Sequence, residues 1–397
     1  MSELLPFEEA LDAIENMQSV QVNEETIELK SALGRIVSQD IVADAFVPPN
    51  DNSAMDGYAL RFSDWSPGKV LKISQRVPAG CAPTPLEEGT CARIFTGANI
   101  PEGADTVVMQ EETKRHEDGV SFLDSLQAGG NIRPKGQDIQ RGQVIVKKGT
   151  KISPMHIGLL SSLGMTSLSA FSRLNVGILT TGDELIAPGN TLAEGQIFNS
   201  NGPMLEALVT QAGYCVSQRL HAKDSPEETE TAISTLLACS DVILSSGGVS
   251  VGEEDHVKAI LEKMGDVHLW KIAIKPGKPL VHATLGTTPF LGLPGNPSST
   301  LVTYHWFARR LLARCAGQEN IFDLSYPVDA GFSRTKTIKR DEFLRVSISE
   351  DGLAYAHPQQ SSGALMAACE SQGYLHIKAH TSIEYGCSYA FYPFSGF

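Results

Sequence analysis

The sequence predicts a multidomain α/β plus β protein built around one doubly wound α/β unit. Three observations carry this reading. From Arg173 to Leu312, apolar runs of strand length alternate with helical periodicity, which implies a parallel sheet covered on both faces. Residues 44–139 are rich in Gly, Pro and short β-type runs, the pattern of an inserted β-rich module. Beyond about Phe322, alternation of period two returns, as in a C-terminal β domain.

Taken in order, residues 4–18 predict an amphipathic helix. Pro6 suits its first turn, and Phe7, Ala10, Leu11, Ile14 and Met17 fall on one face. The β-rich module holds Val70-Leu71-Lys72-Ile73, Ala92-Arg93-Ile94-Phe95 and Thr106-Val107-Val108-Met109. A helical patch follows at Pro154–Leu163. In the α/β unit the expected strands are Leu174–Leu179, Tyr214–Leu220, Asp241–Ser245, His268–Ile274 and Pro289–Leu293. The expected helices are Pro203–Ala212, ended by Gly213, one opened by Ser225-Pro226, Asp255–Met264, and Pro297–Cys315. Ser225, Pro226 and Glu228 predict a capping box. Near the C-terminus, Leu344, Val346 and Ile348 alternate, and Glu350-Asp351-Gly352 turns the chain into Leu353 and Tyr355, a hairpin.

A chain of 397 residues exceeds what one core sustains, so roughly two to four domains are expected. The formal charge of −14 argues against a general nucleic-acid binder, which needs clustered Lys and Arg. It also means that any anionic ligand requires local cations or a metal to overcome the overall repulsion. Seven scattered cysteines without a Cys-x-x-Cys pair predict reduced thiols and no zinc knuckle. The first residues lack a signal-peptide pattern, and no run reaches about 18 apolar residues. A cytoplasmic protein without a membrane span is expected.

Four loops of the α/β unit carry candidate chemistry. In Thr180-Thr181-Gly182-Asp183-Glu184, Gly182 allows close approach of a ligand, and a carboxylate beside it suits Mg2+ or a ribose hydroxyl. A plain Gly-Asp turn is the alternative. Ser245-Ser246-Gly247-Gly248 offers hydroxyls and glycine amides for an anion nest, with Glu254 or Asp255 at the next helix start. No Gly-Lys-Ser/Thr follows, so it is not a Walker A loop. Lys275-Pro276-Gly277-Lys278-Pro279 holds two ammonium groups on a turn stiffened by prolines, as oxyanion binding requires. In Pro294-Gly295-Asn296-Pro297-Ser298, Asn296 is placed to cap a helix with Pro297 in its first turn, and ordinary capping explains it alone. In open α/β sheets, ligands sit outside the carboxyl ends of the strands, where these corners converge. No His-x-x-x-His or Gly-x-Ser-x-Gly supports a zinc or serine hydrolase.

Seven strings in register resemble one family, the molybdopterin molybdenumtransferases (MoeA and the gephyrin E domain). They are Asn52–Ala59, Phe95–Ala98, Asn131–Arg133 with Asp138, Thr181–Leu185, Ser246–Gly252, Lys275–Pro279 and Gly292–Pro297. The resemblance spans nearly the whole chain. It implies a split, elongated N-terminal domain (residues 1–43 and 140–172) and the inserted module over 44–139. It further implies an α/β/α sandwich of molybdopterin-binding type over 173–318 and a C-terminal β barrel over 319–397.

The activity it implies is insertion of molybdate into adenylylated molybdopterin with release of AMP, assisted by Mg2+. By the same resemblance, Lys275, Lys278, Ser298, Arg340 and Ser362 hold molybdate by charge-assisted hydrogen bonds. Glu184 and Asp255 work with the metal, with Asp224 a further candidate; whether Ser361 or Ser362 matches the family is left open. Gly182, Asp183, Ser246, Gly247, Gly248, Pro294, Asn296 and Pro297 bind phosphate or nucleotide. Asp56, Thr96, Arg133 and Asp138 come from the second subunit of a homodimer whose active site is shared, with molybdopterin adenylyltransferase a possible partner. Two rivals are weaker. An adenylyltransferase would show Thr-Gly-Gly-Thr-Gly where this chain has Ser246-Gly247-Gly248-Val249-Ser250, and a non-catalytic scaffold would not need the intact Lys, Glu and Asp set.

Overall fold

The computed structural model describes residues 4–16, 22–249 and 256–397. The α/β unit holds six strands: β1 Asn175–Thr181, β2 Cys215–Ala222, β3 Val242–Ser246, β4 Asp266–Lys271, β5 Pro279–Leu285 and β6 Thr288–Leu293. Their order is β2-β1-β3-β6-β5-β4. The first four strands of that order run parallel, whereas β5 is antiparallel to both β6 and β4. The expected all-parallel sheet is therefore mixed. Leu285 pairs with Thr288, so β5 and β6 form a hairpin around Gly286 and need no crossover helix.

Alternation along the strands sorts their side chains onto two cores. Val176, Ile178, Val242, Leu244, Leu291 and Leu293 face one side. Leu179, Ile243, Val281 and Phe290 face the other. The first side is covered by helix Asn201–Gln211 and by the long C-terminal helix of the unit, the second by Pro226–Leu237 and His256–Met264. The long helix runs α over Pro297–Thr303, π over Tyr304–Ala308 and α again over Arg309–Cys315. The capping box forms by half. Ser225 Oγ accepts from the Glu228 N–H at 3.3 Å, but the Glu228 carboxylate turns to the Lys223 N–H at 3.1 Å.

Before this unit, Glu24–Glu28 pairs with Ser167–Phe171, and Ile41–Val42 with Val144–Val146, all antiparallel. These pairings bring the two flanks of the inserted module together. The module itself is a six-stranded sheet in the order Thr106–Met109, Gly57–Leu60, Thr90–Ile94, Val70–Val77, Val120–Phe122, Thr113–Arg115. The first helix, Phe7–Glu15, buries Phe7, Ala10, Leu11 and Ile14 as its spacing predicts, whereas Met17, expected on the same face, lies outside the described residues. It packs on the α/β unit and the C-terminal domain, with the Phe7 ring 5.2 Å from both Trp306 and Phe343.

The C-terminal domain is β-rich. Asp341–Ile348, Gly373–Ile377, Ser388–Pro393 and Tyr326–Asp329 lie in sequence across its sheet, and Ala354–Ala356 pairs with Asp341–Ile348 in the predicted hairpin. A bridge between Ala330 and Ala354 brings the two edges together. The segment expected to extend strand β4 to Ile274 instead leaves the α/β sheet. Ile274–Lys275 adds in parallel to Asp341–Ile348, with Lys275 opposite Glu342.

Candidate functional site

Strand β1 leads to β2 on one side and, one helix later, to β3 on the other, so the switch point lies between β1 and β3. Their carboxyl ends, Thr181 and Ser246, open onto a cavity of about 1060 Å³. The Gly182 corner, the Gly247–Gly248 corner, the Lys275–Pro279 turn and the Pro294–Pro297 corner all line it. Arg340, Gln360, Ser361 and Ser362 of the C-terminal domain close the far wall.

The corners are shaped by close packing. At Gly182 (φ +142°), an added Cβ would sit 2.4 Å from Glu184 Oε2, because the Glu184 carboxylate folds back over this residue. At Gly247 it would sit 2.8 Å from the Thr181 carbonyl oxygen. Two loops thus touch where side chains would hold them apart. Asp183 and Asp224 lock the first corner reciprocally: the Asp183 N–H donates to Asp224 Oδ2 at 3.2 Å, and the Asp224 N–H to Asp183 Oδ1 at 3.1 Å. Glu184 and Asp224 are exposed carboxylates on the cavity wall, whereas Asp183 serves the corner.

The Ser246 loop departs from the expected anion nest. The buried Ser246 hydroxyl donates to the Pro294 carbonyl at 3.0 Å and accepts from Asn201 Nδ2 at 2.9 Å. The Gly247 N–H donates to the Leu293 carbonyl at 3.2 Å. These groups are already committed to holding strand ends together. Asn201, which sequence reasoning passed over, also donates to the Gly295 carbonyl at 2.6 Å and so ties two corners to the start of its helix. Asn296 stands at the cap position of the helix but its side chain makes no capping bond, so the exposed amide borders the cavity.

Lys275, Lys278 and Arg340 are the cationic side chains on the wall. Lys275 Nζ donates to Glu342 Oε1 at 2.9 Å, and Arg334 Nη2 lies 2.5 Å from Glu342 Oε2 as an ion pair off hydrogen-bond geometry. Burial favours the neutral acid, but the cations Arg334 and Lys275 together outweigh it and hold the Glu342 carboxyl below its ordinary value. Glu342 was not legible as a site residue. Arg340 Nη1 donates to the Ile274 carbonyl at 3.2 Å, which fixes it over the lysine turn. Ser362 lines the cavity, but Ser298 is buried and donates its hydroxyl to the Ala364 carbonyl at 2.9 Å. Ser299 takes its place on the wall. The exposed apolar pair Ile197 and Phe198 forms one lip.

The remaining expected residues lie elsewhere in this chain. Asp56, Thr96, Arg133 and Asp138 are exposed or partly exposed on the inserted module and its flank, outside the cavity. Asp56 Oδ1 accepts from the Thr96 N–H at 2.8 Å and from its hydroxyl at 2.9 Å, and these bonds hold the carboxyl below its ordinary value. Asp255 lies outside the described residues. Among the described residues, no helix is long and apolar enough to cross a membrane, and no group of three or more His, Cys, Asp or Glu gathers as a metal site.

Comparison with known proteins matches three consecutive regions of the chain. Residues 5–164 match the MoeA N-terminal region (domain I and II), 177–314 a probable molybdopterin binding domain, and 327–394 the MoeA C-terminal region (domain IV). A molybdopterin molybdenumtransferase of Haemophilus influenzae is 41% identical over 300 residues, 74% of either chain. One from Synechococcus elongatus is 34% identical over 360 residues, covering 87% of this chain and 88% of the relative. Gephyrin of Dictyostelium discoideum is 34% identical and covers 92% of this chain but 58% of its own length. A solved MoeA protein of Pyrococcus horikoshii superposes with a TM-score of 0.84 at 26% identity, over 99% of this chain and 100% of that one. With all three regions matched in order along the chain, it belongs to the molybdopterin molybdenumtransferases, transferase enzymes of molybdenum cofactor biosynthesis.

Proposed function

We propose that the cavity at the β1/β3 switch point binds molybdate beside adenylylated molybdopterin, transfers molybdenum to the dithiolene sulfurs and releases AMP. One observation carries this reading: Lys275, Lys278 and Arg340 share a wall with Glu184 and Asp224 in a protein of net charge −14. Cations concentrated there offset the general repulsion of a tetrahedral dianion. The ammonium of Lys275 gives one bond to Glu342 and keeps two donors for the oxoanion. Ser362 and Asn296 add neutral donors around it. Ser298 then supports the Ser362 loop rather than touching the oxoanion.

The donor set fits Mg2+. Glu184 and Asp224 are hard oxygen donors, and magnesium commonly takes one or two carboxylates together with substrate phosphates and water. Asp255, expected with Glu184, is a further donor in this reading. A bound Mg2+ would neutralise charge on the anhydride phosphates when molybdate or water attacks. The protein's own part is to hold Glu184 over Gly182, to fix Asp224 through Asp183, and to set the lysine turn against the C-terminal wall.

The site is completed by a second copy of the chain, which brings Asp56, Thr96, Arg133 and Asp138. Support comes from the Asp56 carboxylate, kept ionised and oriented by Thr96 while it serves nothing in its own cavity. The setting is the cytoplasm, with a molybdopterin adenylyltransferase supplying the adenylylated substrate. The test is AMP release by the purified protein from adenylylated molybdopterin. Release that depends on both molybdate and Mg2+ is expected; release indifferent to molybdate contradicts the proposal.

A further inference from the structure

We infer that Arg345 is a positioning residue for the oxoanion end of this cavity, acting through the loop that carries Gln360, Ser361 and Ser362. The inference rests on the functional reading above. Arg345 lies on the buried strand Asp341–Ile348 and is 1% exposed. Its guanidinium donates from Nη2 to the Gln359 carbonyl at 3.3 Å, from Nη1 to the Ser361 carbonyl at 3.2 Å and from Nε to Gln360 Oε1 at 3.2 Å. The Gln360 amide answers by donating to the Arg345 carbonyl at 2.8 Å and the His357 carbonyl at 2.9 Å. Among the described residues no carboxylate is paired with Arg345.

A buried cation satisfied by carbonyls alone is costly to desolvate, and packing alone would be served by an apolar side chain. What the arginine adds is a planar fork that grips consecutive residues of one loop at fixed spacing. That loop is gripped from its other side as well. The Ser298 N–H donates to the Ser362 carbonyl at 2.9 Å, and the Ser298 hydroxyl donates to the Ala364 carbonyl. Gln360, Ser361 and Ser362 are therefore clamped between the C-terminal sheet and the helix that begins at Pro297. They form the wall facing the lysine turn. Arg345 itself does not line the cavity, so its effect passes through donor placement and through uncompensated positive charge behind an anion site. A lysine at this position keeps the charge but cannot span the three acceptors.

The test is equilibrium dialysis of the full chain against molybdate alone and against AMP alone, for wild type, Arg345→Lys and Gln360→Ala. Arg345→Lys is expected to weaken molybdate retention about tenfold or more while AMP binding stays within about twofold. Gln360→Ala, which leaves the arginine in place, should shift molybdate in the same direction by less, and it carries the test if the lysine variant does not fold. Unchanged molybdate retention in both variants overturns the inference, as does an equal loss of molybdate and AMP, which would mark general loosening. Wild-type protein that retains molybdate but releases no AMP from the adenylylated pterin defeats the functional reading and leaves this inference standing. Wild-type protein that retains no molybdate overturns it.

Discussion

Lys275 and Glu342 join the α/β unit to the C-terminal domain twice. Their backbones pair in register, and Lys275 Nζ donates to Glu342 Oε1 at 2.9 Å. Glu342 is 2% exposed, so the acid that holds this cavity lysine lies behind the wall and not in it. The wall's charge and the joint between domains therefore share one residue.

Replacing Glu342 with Gln should destabilise the protein by about 2 kcal/mol, since it strands Arg334 and frees a half-exposed Lys275. The folded carboxyl titrates below its ordinary value of 4.5, so its contribution is full above that pH and is lost as pH falls further. Urea denaturation of both proteins from pH 7 to pH 4 checks this. The gap should hold steady down to about pH 4.5 and narrow below it; a gap that widens on acidification refutes it.

Gly182→Ala should impair turnover more than folding. The residue has φ +142°, and its new Cβ would meet Glu184 Oε2 at 2.4 Å. Backbone strain of about 1–3 kcal/mol is expected. Displacement of the carboxylate should slow AMP release about tenfold or more. Measured side by side, loss of activity without matching loss of melting temperature is the expected pattern.

His305 sits in the π-helical turn, stacked at 4.3 Å on Phe397 and bonded to the Tyr374 hydroxyl at 3.1 Å. Burial pushes its pKa down to about 3 from 6.5, so the unfolded chain takes up the proton first as pH falls. Stability should therefore decline between pH 6.5 and about 3, by roughly 1.4 kcal/mol per pH unit from this residue. His305→Gln should flatten that slope in denaturation curves. An unaltered slope would contradict the assignment.

A shared site makes a prediction about mixtures. Asp56→Ala and Glu184→Ala chains should each be inactive as homodimers, yet mixed dimers hold one intact site of two. Co-expression should restore about a quarter of wild-type AMP release. No recovery in mixed dimers would place both carboxylates in one subunit's site.

Much of this architecture is legible because strand and helix periods differ. Leu179 and Ile178 fall on opposite cores as alternation requires, and the corners after β1 and β3 carry the glycines that close approach demands. Strand β5 escaped because Pro279 sits beside the lysine turn and the run reads as its continuation. Gly286-Thr287 between two apolar runs was the available hairpin signal. The exit of Ile274–Lys275 to another sheet left no local mark. The loops that line the cavity were visible as chemistry-bearing strings. Asn201, Glu342 and Arg345 were not, since each is a buried polar residue whose partners lie on other segments of the chain. Asn296 occupies a cap position, yet its amide is not used for capping, and only geometry separates those roles.

The convergence of the Gly182 corner and the lysine turn on one cavity is tested most directly by AMP release from adenylylated molybdopterin, with molybdate and Mg2+, in Glu184→Ala and Lys275→Ala beside wild type. Both variants should remain folded and lose nearly all release. Release at the wild-type rate from either one would show that the chemistry happens somewhere else.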